Sequence, residues 1–309
     1  MRKVTLKGLL QAAAFLTTAL TLVTLVPFDH HALQLFTHFR LQYLAASVLL
    51  LAIFAFLRSP AFTIVLLISA AANGATVVPW YTNQEQPAGN QQLKVMLANV
   101  LSTNVEHDRL ISLVASEKPD VLFLQEISPQ WETALAALLG DYPHHHVEAR
   151  SDNFGIALLS RWPIAQIARV ESEPMGYPTL CGEFDIEGQR LRFVSTHPMI
   201  PVGAHNFATR NAQLEDVAKQ LGASETATIL AGDLNTTMWD MHYRALEDAT
   251  RLRNVRRGHG VKPTWPTFMP FAMIPIDHVL VSNDIAVETV TAGPGIGSDH
   301  LPLIVTLSL

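Results

Sequence analysis

The chain has 309 residues, 49% of them hydrophobic and only 16% charged, with a formal net charge of −6. Its single cysteine, Cys181, excludes an intrachain disulfide and a multi-cysteine zinc site, so a folded domain here must hold itself together by packing. From residue 91 onward 16 lysines and arginines stand against 25 aspartates and glutamates, a net of −9, which disfavours a domain built to grip nucleic-acid phosphates.

The apolar excess lies at the start. No charge falls between Lys7 and Asp29, and residues 8–28 suffice to cross a bilayer core, which needs about 20 apolar residues. Two further uncharged runs are separated only by Arg58-Ser59-Pro60, so membrane helices are predicted at about 8–28, 40–57 and 61–80. A cleaved signal peptide competes for the first run because Arg2, Lys3 and Lys7 precede it. The length of that run, the lack of a clean small-x-small cleavage site and the two later runs favour a membrane helix. These segments are apolar on nearly all faces, which argues against a soluble bundle. The basic residues Arg2, Lys3, Lys7 and Arg58 assign their helix ends to the cytoplasm, and three crossings then put everything after residue 81 outside it. Arg40, at the outer edge of the second helix, runs against that rule.

Residues 82–92 are polar with Pro and Gly and read as a linker between a membrane region, 1–81, and a domain spanning 93–309. In that domain strands are expected over Leu93–Val100, Asp120–Glu126, Gly155–Ser160, Cys181–Ile186, Leu191–Thr196, Thr228–Gly232, Ile276–Val281 and Leu301–Leu307. Helices are expected over Asp108–Glu117, Pro129–Leu139 with Ser128 as N-cap, Asn206–Leu221 and Trp239–Ala249, and Asn153–Ile164 is expected to form a hairpin. Many strands with few helices imply two packed sheets covered by helices, an α/β protein.

Chemistry collects at the strand ends, where an unpaired charge is costly unless something binds it. Asn99 ends the first strand, Glu126 the second and His197 a later one. Asp233 and Asn235 follow TILAG; Asp277-His278 and Asp299-His300 open the last two strands. Taken singly, Asp233 and Asn235 read as an Asx turn and helix cap, Asp299 as a turn residue, and His197 as a structural histidine. Taken together, a carboxylate, amide or imidazole at the end of each strand predicts convergence at one edge of the sheets. His278 should point to the opposite face of its strand from Asp277.

The order LANV, FLQE, STHP, AGDLN, IDHVL and GSDHLPL resembles the endonuclease/exonuclease/phosphatase superfamily, the DNase I-like group, over residues 93–309. The resemblance implies a four-layer α-β-β-α sandwich, here preceded by three transmembrane helices, and hydrolysis of phosphate esters with a divalent metal. A phosphoester demands a metal, fixed donors and an activated water. Glu126 is the first metal ligand expected, with Asn99 and Asp299 as helpers, and hard oxygen donors without a thiol favour Mg²⁺ or Mn²⁺. Asp233 is the candidate to take a proton from water, and Asn235 to hold the phosphate or that water. His300 resembles the family histidine that contacts phosphate, with Asp277 orienting it, and His197 the second histidine, placed at the leaving oxygen. Arg210 and Gln213 are expected as supports.

Two clusters stay open. Arg251, Arg253, Arg256, Arg257 and Lys262 read either as a basic patch for phosphates or lipid headgroups or as a solvated loop. The segment TWPTFMPFAMIP reads either as a substrate rim or membrane-dipping surface or as core. His144 to His146 lie away from the motif series. The expectation is a membrane-anchored, extracytoplasmic, metal-dependent phosphoesterase acting on a phosphodiester, phosphomonoester or pyrophosphate, with a lipid-linked substrate preferred. The alternatives are a DNA or RNA nuclease and a non-catalytic binding module.

Overall fold

A computed structural model describes residues 4–82, 89, 91–222 and 226–309. Arg2 and Lys3 of the basic start, and residues 83–88 and 90 of the expected linker, lie outside the described residues.

Three long apolar helical segments come first. Helix α1 is Leu6–Leu25; a short α2, His31–Gln34, runs through a 3-10 turn into α3, Arg40–Phe56; α4 is Pro60–Val77 with a 3-10 turn to Trp80. Leu6–Leu25, His31–Phe56 and Pro60–Trp80 are each long and apolar enough to cross a membrane. Leu16, Leu49, Phe56 and Ile68 are exposed, whereas the buried seam holds Thr21, Ser47, Ser69 and Asn73 beside Ala14, Leu50, Phe54 and Leu66. The Asn73 amide donates to Thr21 Oγ1 at 2.9 Å, and Ser69 to Thr18 at 3.3 Å. Small residues and interhelical hydrogen bonds are what join helices when the surroundings are themselves apolar. The second segment starts earlier than the expected 40–57, because residues 31–39 extend it as helix and 3-10 turn.

The rest of the chain forms two six-stranded sheets. In the first, strands β1 (Gln92–Asn99), β2 (Val121–Gln125), β3 (His144–Glu148), β4 (Ile156–Ser160), β11 (Ala286–Ala292) and β12 (Leu303–Ser308) are ordered β11-β12-β1-β2-β4-β3. In the second, β5 (Ile164–Ser172), β6 (Tyr177–Ile186), β7 (Gln189–Ser195), β8 (Thr228–Asp233), β9 (Arg253–Asn254) and β10 (Asp277–Val281) are ordered β5-β6-β7-β8-β10-β9. Central strands are apolar on both faces. On β1, Leu93, Val95 and Leu97 pack between the sheets with Phe123, Phe193, Ile229 and Val279. The alternate residues Met96 and Ala98 pack outward with Trp131 and Leu110, under helices α5 (His107–Glu117) and α6 (Pro129–Leu135). Ser128 caps α6 as expected, accepting from Trp131 N. The outer face of the second sheet is covered by α7 (Ala204–Leu221) and α8 (Met241–Thr250), which completes four layers, α-β-β-α.

Two findings correct the expected organisation. Asn153–Ile164 is not a hairpin: β4 and β5 belong to different sheets, and Arg161-Trp162-Pro163 carries the chain across. The apolar segments also dock directly on the α8 side rather than hanging from a tether alone. Val77 and Trp80 join the cluster of Trp239, Tyr243 and Leu280. Gln42 donates to Met273 O at 2.7 Å, His38 meets Thr237 at 3.0 Å, Trp239 donates to Thr76 O at 3.3 Å, and Gly260 N to Trp80 O at 2.7 Å.

Candidate active site

Topology delivers the polar strand ends to one edge. The β1/β2 and β7/β8 pairs are parallel, with α5 and α7 as crossovers, so all four strands finish at the same side. Strand β10 is antiparallel to β8 and begins there, with Asp277 directly opposite Asp233; β12, antiparallel to β1, is entered through Ser298-Asp299-His300. The two sheets therefore present Asn99, Glu126, His197, Asp233, Asn235, Asp277 and His300 around one cleft of about 450 Å³.

Asn99 joins the sheets. Its amide nitrogen donates to Glu126 Oε1 at 2.9 Å and to Asp233 Oδ2 at 3.1 Å, while its oxygen accepts from Leu101 N. Asn99 thus faces both carboxylates with its donor side. Glu126 accepts at its other oxygen from Ser102 N at 3.1 Å and sits at φ 63°, a left-handed conformation that an L side chain adopts at a cost. Asn235 is also left-handed, at φ 50°. Its backbone N–H closes an Asx turn on Asp233 Oδ1 at 2.9 Å, so the turn reading and the site reading of this pair are both satisfied. The Asn235 amide donates to Pro198 O at 3.0 Å and lies 3.3 Å from His197 Nε2.

The histidines and acids form a charge chain. His300 Nδ1 lies 2.9 Å from Asp277 Oδ2, and its Nε2 lies 3.7 Å from Asp233 Oδ2. Burial opposes charge on His300, but Asp277 and Asp233 outweigh it and raise its pKa to about 10. His197 Nε2 lies 3.5 Å from Asp233 Oδ2; burial again opposes charge, and Asp233 raises its pKa nonetheless. In return, although burial works against ionisation of Asp233, the His300 and His197 charges lower its pKa to about 2. With a proton on His197 Nε2, that ring and the Asn235 amide are two donors aimed at a common space. Such a pair calls for an oxygen acceptor.

Asp299 stands at the rim of the cleft, accepting from Trp265 Nε1 at 2.9 Å. Asp233, Asp277 and His300 offer atoms within 4.8 Å of one another, close enough to hold a metal ion. An imidazolium has no lone pair to give, and the Asp277 oxygen nearest His300 is engaged by it, so this trio reads as an ion-paired triad. Glu126 and Asp299 are oxygen donors at the same cleft, and no thiol lines it; this donor set fits a hard divalent cation. His278 points away as expected, bonded to Asn254 and Thr236 O, and burial lowers its pKa to about 3.

Supports gather around this set. Arg210, fully buried, reaches Asp240 at 3.2 Å and Asn235 O at 3.3 Å, and Gln213 accepts from Met199 N at 2.8 Å. Ser298 Oγ donates to Asn99 O and accepts from His300 N. Phe154 stacks on Tyr177 with centroids 3.5 Å apart and lies 5.5 Å from His197, forming an aromatic wall. Sequence reasoning passed over Ser102 and Tyr177, whose partners lie 24 and 23 residues away with no local pattern to reveal them. Three side chains of the basic cluster are engaged within the fold. Arg256 is fully buried and donates to Asp277 O and Lys262 O, Arg257 pairs with Glu247 at 3.0 Å, and Arg253 donates to Ile285 O. His144–His146 lie on β3, at the edge of the first sheet.

The family described as Endonuclease/Exonuclease/phosphatase matches residues 96–300. Among solved structures, TDP2 of D. rerio complexed with a single-strand DNA product superposes with a TM-score of 0.61 at 18% identity, over 71% of this chain and 100% of that one. An endonuclease/exonuclease/phosphatase from Beutenbergia cavernae gives 0.60 at 21% identity, over 71% and 72% of the two chains. The human Nocturnin catalytic domain with bound sulfate gives 0.59 at 19%, over 71% and 94%. At these identities the likeness is one of fold. No curated protein matches the chain.

Proposed function

The chain belongs to the endonuclease/exonuclease/phosphatase family, whose members are hydrolases acting on phosphate ester bonds, and from that premise we propose that it is a membrane-anchored, divalent-metal-dependent phosphoesterase with an extracytoplasmic catalytic domain and a lipid-linked substrate. The observation that carries the reading is the convergence of Glu126, Asp233, Asn235, His197 and the His300–Asp277 pair on one cleft.

Glu126, with Asp299 lining the same cleft, would hold Mg²⁺ or Mn²⁺, which when bound supplies positive charge at a phosphoryl oxygen. His300, kept charged by two carboxylates, donates to a phosphate oxygen. Asp277 fixes its ring. Asn235 and His197 seat a second oxygen, and His197 holds a proton for the departing alkoxide. Asp233 is the acceptor for the proton of the attacking water. Its basicity is held down while both imidazoliums face it, and recovers when phosphate oxygens engage those charges.

The substrate assignment follows from position. The loop that precedes Asp277 is tied to α3 through Gln42 and Met273, and on it Phe268 and Phe271 are 71% and 80% exposed. Exposed aromatic side chains on a loop fixed to a membrane helix support a cleft that opens at the bilayer surface. The orientation rests on Lys7 and Arg58, which lie at the helix ends away from Trp80. Arg40 breaks the charge rule for a structural reason: its guanidinium donates to Thr24 O and to Asn73, tying the three helices together.

The test is a phosphate-release screen of the full chain in nanodiscs, with and without chelator, over lipid phosphates, lipid pyrophosphates, sugar phosphates and oligonucleotides. Hydrolysis of lipid substrates that needs Mg²⁺ or Mn²⁺ and is absent in Glu126→Ala is the expected result. Cleavage of oligonucleotides alone would make the chain a nuclease, and silence toward every substrate would favour a binding module.

A further inference from the structure

A second cavity, of about 410 Å³, shares no residue with the catalytic cleft. It lies where the ends of the three apolar segments meet α8. Thr24 to Phe28 form one wall, Gln34 and Arg40 a second, Trp80 a third, and Trp239 and Arg244 close it from the catalytic side. Its polar side is built and unsatisfied. Gln34 is 3% exposed, yet neither atom of its amide has a hydrogen-bond partner among the described residues. Arg40 is 4% exposed, and its Nε likewise has none there.

Of these three unmet atoms Gln34 Nε2 and Arg40 Nε are donors and Gln34 Oε1 an acceptor; buried polar atoms left unmet are costly, so the arrangement calls for a ligand that offers acceptor oxygens beside a hydroxyl. Charge gives its sign. Neither Arg40 nor Arg244 forms an ion pair with a carboxylate among the described residues, and Glu247, the acid on the same wall, is taken by Arg257 at 3.0 Å. Position gives its class. Trp80 ends the third apolar segment, the level at which tryptophan sits in a membrane–water interface, Trp239 is held beside it by its bond to Thr76 O, and Leu25, Val26 and Phe28 continue the cavity as an apolar surface.

We propose that this cavity binds the phosphate of an anionic phospholipid from the leaflet on the catalytic side, with Gln34, Arg40 and Arg244 as its donors and the acyl chains leaving along Leu25, Val26 and Phe28. The lipid is a bound ligand and not a substrate, since none of the catalytic candidates lines this cavity. Because its walls come from all three apolar segments and from α8, an occupied site braces the membrane helices against the catalytic layers. The inference rests on the membrane reading of these helices and is independent of the proposed reaction.

The experiment uses the full chain, delipidated in a zwitterionic detergent. Native mass spectrometry reads retention of phosphatidylglycerol against phosphatidylcholine, with glycerol 3-phosphate and inorganic phosphate as competitors. The wild type is expected to retain phosphatidylglycerol preferentially, and neither soluble phosphate to displace it at equal concentration. Arg244→Gln removes one charge without touching the Arg40 contacts that tie the helices, and is expected to weaken retention about fivefold. Gln34→Leu should weaken it as well, with the thermal midpoint of the lipid-free chain unchanged. Equal retention of the two lipids, retention unaltered in both variants, or displacement by inorganic phosphate would each overturn the proposal. Hydrolysis is not read, so failure here leaves the catalytic proposal standing, and the reverse.

Discussion

At the scale of single residues, the site depends on which charges are held and which are excluded. Asp233 sits between the His197 and His300 rings and the Asn99 amide, so Asp233→Asn removes the candidate proton acceptor while preserving shape. Turnover on the substrate found in the screen is expected to fall about 10²–10⁴-fold, measured at a temperature where the melting curve shows the variant still folded, since loss of a buried paired carboxylate also lowers stability. His278, on the other face of β10, makes the contrasting case. Its Nε2 lies 2.8 Å from Thr236 O, an acceptor, and its Nδ1 lies 2.8 Å from the Asn254 amide nitrogen, a donor. Both ring nitrogens are therefore committed in the neutral form. Its folded pKa of about 3 lies below the ordinary 6.5, so the unfolded chain binds the extra proton first as pH falls. This contribution to stability is complete above pH 6.5 and is lost progressively down to about 3. Chemical denaturation of wild type and His278→Gln across that range checks it: the variant should lose less stability on acidification.

At the scale of elements, close approach and edge position decide what each strand can do. A Cβ on Gly232 would lie 1.9 Å from Thr196 O, so β8 can run beside β7 and deliver Asp233 only with glycine there. Gly232→Ala is expected to destabilise the fold by about 1–3 kcal/mol and to lower activity by displacing Asp233; thermal melts and turnover measured together would show both. The loop carrying Phe268 and Phe271 is exposed and yet anchored to α3 through Gln42. Replacing both phenylalanines by serine should lower the rate on a vesicle-borne substrate relative to a water-soluble short-chain phosphoester, and an unchanged ratio would remove the loop from the membrane surface. Strands β3, β5 and β11, which sequence reasoning did not find, are all sheet edges. An edge strand has one paired side and a partly solvated surface; β5 reads IAQIARVES, largely exposed, and lacks the two-sided apolar run that marked the central strands.

At the scale of the whole molecule, the proposed function amounts to a reaction cleft held at a fixed height above a bilayer. The contacts of His38, Gln42, Trp80 and Trp239 with the other part set that height without relying on residues 82–92. An alkaline phosphatase fusion at Leu309 is expected to be active and a cytoplasmic reporter at the same place silent; the opposite pair of results would invert the topology. The sequence by itself determined the apolar segments, the central strands and the polar residues at their ends, since hydropathy, charge and period two are properties of neighbouring residues. It also carried enough motif order to indicate the family that residues 96–300 match. Tertiary structure alone decided which of those strand ends meet. Asn99 and Asp233 are 134 residues apart and 3.1 Å distant, because parallel crossovers bring two sheets to one edge. It decided as well that Arg253, Arg256 and Arg257 are engaged within the fold, and that Gln34 and Arg40 face a cavity. Local sequence fixes what a side chain is and which face it takes, whereas its partner depends on the path of the chain between them.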